Sequence, residues 1–68
     1  MLYKGYLDGV LFVESNSIPS VKRRLDAEEE LFGWHCWAEI VRGRQVIRVK
    51  DYLDADPKWQ TFKYKFTK

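Results

Sequence analysis

Residues 2–15, with the sequence LYKGYLDGVLFVES, place the pair Asp8-Gly9 between two apolar-rich runs. Asp-Gly favours a type I′ turn, in which both central residues need a positive φ, and it therefore predicts a β-hairpin. A two-residue loop also fixes the strand register. The pairs that it predicts are Leu7–Val10, Tyr6–Leu11 and Gly5–Phe12. In the last pair the Phe12 ring covers a strand glycine.

Both faces of this predicted hairpin are apolar. One face carries Tyr3, Leu7, Val10 and Phe12, and the other carries Leu2, Tyr6, Leu11 and Val13. A helix can cover only one face of a two-stranded unit. The second apolar face therefore predicts a homodimer formed through the first hairpin.

A helix is predicted to follow, beginning near Pro19. Proline is favoured in a first helical turn, and Ser17 or Ser20 can cap that turn. An apolar stripe at helical spacing comprises Ile18, Val21, Leu25 and Phe32. Basic residues come early in this helix, at 22–24, and acidic residues come late, at 28–30. Stability alone favours the reverse order, because of the helix dipole.

A second hairpin is predicted from residues 34–42 and 45–53. Gly43 stands at the first central position of the turn, where a type II′ turn takes glycine. The predicted pairs are Val41–Val46, Ile40–Ile47, Glu39–Arg48, Ala38–Val49 and Trp37–Lys50. They include an ion pair and a cation–aromatic pair, both favourable across strands. This register places Trp37, Arg48 and Lys50 together on the face away from Ile40.

A last strand is predicted over residues 59–66, after a turn at 54–57. Aromatic residues and lysines alternate along it, the pattern of a half-buried strand. The fold class is therefore α+β, a single domain over residues 1–68. An antiparallel sheet of four or five strands carries one helix on one face, in ββαβββ order. The pattern leaves open whether the last strand pairs with the fourth or the first, and the order recurs in many small folds.

The chain of 68 residues has room for one hydrophobic core, to which 3 Trp, 4 Tyr and 4 Phe contribute. Cys36 is the only cysteine, so no internal disulfide is expected and a reducing compartment is favoured. Residues 1–20 contain no unbroken apolar run that could serve as a signal peptide or membrane span. We therefore expect a cytoplasmic protein that does not bind membranes.

No catalytic, metal or cofactor site is expected. His35 and Cys36 are adjacent on a predicted strand and point to opposite faces, which places Cys36 in the core and His35 at the surface. No second His or Cys is present to complete a zinc site. The acidic residues at 28–30 and at 54 and 56 are expected to face water or to serve turns.

The best positive signal is a basic and aromatic face in the second half of the chain. Residues 1–41 carry a net charge of −3, from four basic and seven acidic residues, and residues 42–68 carry +5, from eight and three. The candidate binding residues are Trp37, Arg42, Arg44, Arg48, Lys50, Trp59, Lys63 and Lys65. Such a mixture is typical of single-stranded nucleic-acid platforms and of protein–protein hot spots. It is equally compatible with a solvated sheet face on which the tryptophans lie under lysine stems.

Two hypotheses of function follow, and neither is an enzyme. The first is a small docking protein that binds a larger protein or protein–nucleic-acid machine and modulates or inhibits it. Phage and mobile-element proteins of this size act in this way on host enzymes and defence complexes. The alternative is a nucleic-acid-binding domain that uses the basic and aromatic face. A net charge of only +2 weighs against the alternative.

Overall fold

The computed structural model describes residues 1–61. The elements are β1 (Tyr3–Leu7), β2 (Val10–Ser15), α1 (Ile18–Phe32), β3 (Trp37–Arg42), β4 (Gln45–Asp51) and β5 (Gln60–Thr61). The strands form one antiparallel sheet in the order β2-β1-β3-β4-β5. The predicted α+β fold in ββαβββ order is confirmed, and the last strand joins the fourth. The part of that strand predicted beyond Thr61 lies outside the described residues.

The helix α1 starts where its sequence signals predict. Ser17 is the N-cap, and its hydroxyl accepts a hydrogen bond from the Ser20 N–H at 3.4 Å. Gly33 ends the helix with a φ of 68°, a left-handed conformation that favours glycine. Of the predicted apolar stripe, Val21 and Leu25 are buried and Ile18 packs against the core, but Phe32 is exposed. The prediction that Phe32 belongs to the buried stripe is therefore wrong, because the buried face of the helix ends at Leu25.

The first hairpin has the predicted turn and part of the predicted register. Asp8 and Gly9 both have positive φ, 51° and 84°, as a type I′ turn requires. The pairs Leu7–Val10 and Tyr6–Leu11 are confirmed, but Gly5 lies opposite Val13 and not opposite Phe12. A β-bulge adds one residue to β2 at this point and reverses the faces beyond it. Val13 consequently joins the core, and the predicted outer face loses one of its apolar residues.

Gly5 is buried for a different reason from the one predicted. A Cβ atom built on Gly5 would lie 2.6 Å from Val21 Cγ1, 2.7 Å from Val13 Cγ1 and 3.0 Å from Leu25 Cδ1. These distances are too short for real contacts, so no side chain fits between β1 and the helix at this point. Glycine here allows the helix to approach the sheet closely.

The second hairpin also contains a bulge, which overturns most of its predicted register. Gly43 has the positive φ that its turn needs, and the pair Val41–Val46 is confirmed. Beyond that pair β4 has one extra residue, and the observed pairs are Ile40–Arg48, Glu39–Val49, Ala38–Lys50 and Trp37–Asp51. Since Ala38 and Ile40 are buried under the helix, Lys50 lies on the helix side of the sheet. The prediction that Trp37 and Lys50 share one face is wrong.

The core of the described residues is small. Its buried apolar residues are Leu7, Val13, Val21, Leu25, Ala38 and Ile40, and Tyr3, Ile18, Ile47, Tyr52 and Trp59 pack around them. His35 is the buried polar residue among residues 1–61. Within the same residues no helix has both the length and the apolar character needed to span a membrane.

Candidate protein-binding surface

The carboxylate of Asp8 fastens the first turn to the segment that leads from the helix into β3. Its Oδ1 accepts hydrogen bonds from the backbone N–H groups of Cys36 at 3.1 Å and Trp37 at 3.0 Å. Its Oδ2 lies 3.3 Å from Nδ1 of His35. The Asp8 N–H in turn donates to the Trp37 carbonyl at 2.8 Å. We call this arrangement the Asp8 centre.

The pKa of Asp8 reflects these contacts. Burial by itself raises the pKa, but the backbone N–H groups of Cys36 and Trp37 and the His35 ring together outweigh it. The pKa therefore lies below its ordinary value of 3.8. Hydrogen bonds to the charged form of a carboxylate have this effect. The negative charge of Asp8 is thus part of the folded structure at neutral pH.

His35 and Cys36 occupy positions opposite to the predicted ones. His35 is only 3% exposed, and Cys36 is exposed. The prediction that His35 is at the surface and Cys36 in the core is wrong, because β3 starts at Trp37 and the two residues belong to the preceding loop. Asp8 holds the imidazole inward and the loop turns the thiol outward.

Nε2 of His35 is buried without a hydrogen-bond partner among residues 1–61. The imidazole and the Asp8 carboxylate resemble two members of a nucleophilic triad. The thiol of Cys36 does not complete it, because it is not within hydrogen-bonding reach of Nε2. The Asp8–His35 pair is therefore arranged for structure or recognition and not for activating this cysteine.

Aromatic rings cover the buried imidazole. The Trp34 ring lies 4.2 Å from the His35 ring, centroid to centroid, and the Phe12 ring meets it edge-on at 5.6 Å. These rings and the last two residues of the helix are largely exposed: Phe12 42%, Leu31 77%, Phe32 59% and Trp34 67%. We call the rings of Phe12 and Trp34, together with the buried His35 that they contact, the His35 surface. It is an aromatic patch with one unsatisfied polar atom beneath it, and the exposed Leu31 and Phe32 precede it in the sequence at the end of α1.

The edge of the sheet is next to this patch. β2 is the outermost strand on its side of the sheet within residues 1–61, so its outer N–H and C=O groups lack a strand partner there. Val10, Leu11 and Phe12 on this strand are all exposed. Natural edge strands are usually protected by lysine, proline or short length. β2 spans six residues and contains neither lysine nor proline.

A second carboxylate, that of Asp26 on the helix, accepts hydrogen bonds from side chains near the β4–β5 edge of the sheet. Oδ1 of Asp26 accepts from Lys50 Nζ at 2.8 Å and from the Tyr52 hydroxyl at 3.0 Å, and Oδ2 accepts from Trp59 Nε1 at 3.1 Å. Lys50 Nζ also lies 5.2 Å from the Tyr52 ring centroid and 5.7 Å from that of Trp59. Burial, followed by the Asp26 carboxylate, raises the pKa of the Tyr52 hydroxyl. We call this arrangement the Asp26 centre.

The eight predicted binding residues do not share one surface. Lys50 and Trp59 belong to the Asp26 centre, and Trp37 lies on the opposite face of the sheet. Arg48 is half-buried and donates to the Ile47 carbonyl at 2.9 Å. Arg42 and Arg44 are exposed on either side of the Gly43 turn. Lys63 and Lys65 lie outside the described residues.

A groove of about 440 Å³ runs beside the Asp26 centre. It is lined by Asp26, Glu29, Glu30, Lys50, Tyr52 and Pro57. Glu29 connects the groove to the His35 surface, because its Oε1 accepts the His35 N–H at 3.0 Å. Among residues 1–61 no group of three or more His, Cys, Asp or Glu side chains is arranged to hold a metal ion.

Sequence reasoning missed the His35 surface, although the sequence carries a signal for it. Residues 32–37 read FGWHCW, with three aromatic residues around the glycine that ends the helix and the histidine that follows. Neither the helical stripe nor the alternation of β3 needs all of these rings for the core. Comparison with known proteins assigns no role to this surface: no protein family, no curated protein and no solved structure matches the chain.

Proposed function

We propose that this chain is a non-enzymatic docking protein that binds a partner protein through the His35 surface and the open edge of β2. By binding, it modulates or inhibits the larger protein or protein–nucleic-acid complex to which the partner belongs. The observation that carries the proposal is the pair of exposed rings, Phe12 and Trp34, that lie against one buried, unsatisfied histidine. Contiguous apolar patches with aromatic anchors are characteristic of protein–protein interfaces.

The size of the core supports this reading. Few apolar residues are buried among residues 1–61, and a domain of this length gains stability when a partner covers more of its surface. The exposed part of the chain is rich in the residues that supply such stabilisation, since Trp34, Phe12 and Phe32 offer large rings. In the free domain these rings keep apolar area in contact with water, and a partner that covers them removes this area from water.

The unpaired edge of β2 favours a partner segment that binds as an extended strand. A partner strand that pairs with β2 would satisfy the outer backbone groups and lie beside Phe12. In strand addition the main chain provides affinity and alternate side chains provide specificity. The His35 surface is then the pocket that reads one of those side chains.

The nucleic-acid alternative has weaker support. It relied on Trp37, Arg48 and Lys50 lying on one face, and the bulge in the second hairpin places Arg48 and Lys50 on the face opposite Trp37. Lys50 is also neutralised by Asp26 at 2.8 Å, which leaves it unsuited to a phosphate. The exposed Arg42 and Arg44 beside the Gly43 turn are what remains in its favour.

A capture experiment with a matched control tests the proposal. Tagged wild type, Trp34→Ser and Leu53→Ser are used to capture proteins from cells that express the chain. Leu53 is 74% exposed and lies in the turn after β4, so its replacement controls for the loss of an exposed apolar residue. The protein that wild type and Leu53→Ser capture is then purified, and its dissociation constants are measured by calorimetry.

We expect Trp34→Ser to bind this protein at least about tenfold more weakly than wild type. We expect Leu53→Ser to bind it as wild type does. Equal affinity of all three chains would show that the His35 surface is not the site. Capture that disappears after nuclease treatment, with binding of the freed nucleic acid by the chain alone, would favour the alternative.

A further inference from the structure

The end of the helix beside the His35 surface is acidic. It carries Glu28, Glu29 and Glu30, and residues 27–38 contain no lysine or arginine. The last turn of α1 has no basic residue, so the negative end of the helix dipole is uncompensated there. Glu29 is the acidic residue in direct contact with this surface, through the His35 N–H at 3.0 Å. It also lines the groove beside the Asp26 centre, where Lys50 balances the charge of Asp26.

The aromatic rings at the His35 surface also favour a positively charged ligand. The face of an indole ring attracts cations through its quadrupole. Trp34 is two-thirds exposed, so one of its faces is open to a ligand while the other lies near His35. In the neutral imidazole, Nδ1 donates to Asp8 and Nε2 is therefore an acceptor, buried and unpaired within the described residues. A carboxylate, an exposed ring and a free acceptor all favour a cationic donor.

The chain already binds one cation of its own in this way. In the Asp26 centre the Lys50 ammonium contacts a carboxylate at 2.8 Å and lies near the rings of Tyr52 and Trp59. The His35 surface has comparable components, but within residues 1–61 no ion pair joins Glu29 to a cation. The Asp26 centre therefore includes a cation, whereas Glu29 at the His35 surface has no paired cation among residues 1–61.

We propose that the partner segment supplies this cation as an arginine, which stacks on Trp34 and donates hydrogen bonds to Glu29. The unpaired Nε2 belongs to the imidazole against which Trp34 packs, and it adds to the negative potential at this ring. Arginine suits the site better than lysine, because a planar guanidinium stacks on rings and carries five donors. The inference rests on the proposed docking function and names the chemistry of the docked segment, a basic strand of a protein.

Short labelled peptides test the inference without knowledge of the partner. The probe is a hexapeptide of alternating valine and arginine, and its matched control has citrulline, which keeps the shape without the charge. A third peptide has glutamate in place of arginine. Fluorescence anisotropy with the full chain measures the dissociation constants at low salt and at high salt. We expect the arginine peptide to bind at least about tenfold more tightly than the citrulline peptide at low salt, and the preference to shrink at high salt.

Four substitutions locate the site of the cation. Glu29→Gln keeps an oxygen for the His35 N–H and removes the charge, so we expect it to abolish most of the preference for arginine over citrulline. Glu39→Gln removes the same charge from the opposite face of the sheet and should leave the preference intact. Trp34→Phe should retain part of the affinity, and Trp34→Ala should lose it. Circular dichroism melts establish that each variant is folded.

Each other outcome overturns the inference in a distinct way. Equal binding of the arginine and citrulline peptides would be compatible with docking of a strand but would show that the site does not select a positive charge. Tighter binding of the glutamate peptide would reverse the assigned polarity of the site. If no peptide binds, the basic strand is the wrong ligand, while capture of a partner that depends on Trp34 would still sustain the proposed function.

Discussion

The two aspartate centres join the same small domain at two places and differ in what they leave unsatisfied. Asp26 receives hydrogen bonds from three side chains, and a lysine charge balances its own. Asp8 receives two backbone N–H groups and one imidazole nitrogen, and the other nitrogen of that imidazole has no partner within residues 1–61. Exposed apolar side chains lie over His35, whereas Tyr52 and Trp59 at the Asp26 centre pack against the core.

This difference distinguishes a centre that serves stability from one that, in the proposed function, also serves recognition. A polar group whose partners are all within the chain contributes most to folding. A buried polar atom without a partner costs free energy, about 1 to 3 kcal/mol, and persists in a native protein for a reason. Four substitutions test the contrast, and the expected loss of stability decreases from the first to the last.

The largest loss is expected from Asp26→Ala. The substitution leaves the Lys50 ammonium, whose side chain is 15% exposed, without its counter-ion and removes the acceptor from Tyr52 and Trp59. We expect the free energy of unfolding to fall by about 2 to 3 kcal/mol, measured by urea denaturation. Asp56→Ala removes an exposed ion pair to Lys58 and should change it by less than about 0.5 kcal/mol. Similar values for both would show that the Asp26 centre is no more than a surface contact.

A smaller loss is expected from Asp8→Ala, about 1 to 2 kcal/mol at neutral pH, because water can reach the backbone groups that lose their acceptor. The pKa of Asp8 is lower folded than its ordinary 3.8, so its contribution is present above that value and is lost as the pH falls through the folded pKa. Urea denaturation at a series of pH values should show the wild-type advantage shrinking in acid. A pH-independent difference would contradict the role of the charge.

His35→Phe is expected to change stability by no more than about 1 kcal/mol, in either direction. The variant loses the contact between Nδ1 and Asp8 but also removes the unpaired Nε2, and a phenyl ring can lie between Phe12 and Trp34. Binding of the arginine peptide should weaken, because Nε2 no longer adds to the negative potential beside Trp34. A loss of stability as large as that of Asp26→Ala would identify His35 as purely structural.

The smallest effect on stability is expected from Trp34→Ser, within about 0.5 kcal/mol, since the side chain is 67% exposed. Its effect on binding should be the largest of the four. Thermal melts followed by calorimetry with the captured partner measure both quantities on one preparation. If the melting temperature drops sharply, the ring is a cover for the core and the contrast between the two centres is lost.

Turn chemistry and periodicity were enough to predict the fold. Asp8-Gly9 and Gly43 adopt the positive φ that their predicted turns need, and the cap at Ser17 starts the helix. These signals are local, since each depends on the φ of one or two residues. The types of the elements and their order along the chain follow from them, whereas the place of the last strand in the sheet stayed open.

The faces of the strands were not predictable beyond the bulges. Phe12 and Ile47 are each an extra residue in one strand, and neither is marked by glycine or proline. Both hairpins were aligned on unbroken alternation, which a bulge reverses. The error was largest for Lys50, which was expected beside Trp37 on the candidate binding face and which pairs with Asp26 instead. Contacts between residues far apart in the sequence, such as those of Asp8 with residues 35–37, produce no local sequence pattern from which they could be predicted.

Gly5 has a consequence for the binding surface although it is not part of it. The helix rests on β1 at this residue, with Val21 and Leu25 where a Cβ atom would stand. Glu29 lies one turn beyond Leu25 on the same rigid helix, and its carboxylate is in contact with His35. Gly5 therefore helps to fix the spacing between the acidic end of the helix and the aromatic rings, although it contacts neither, because it lacks the methyl group that an alanine would carry.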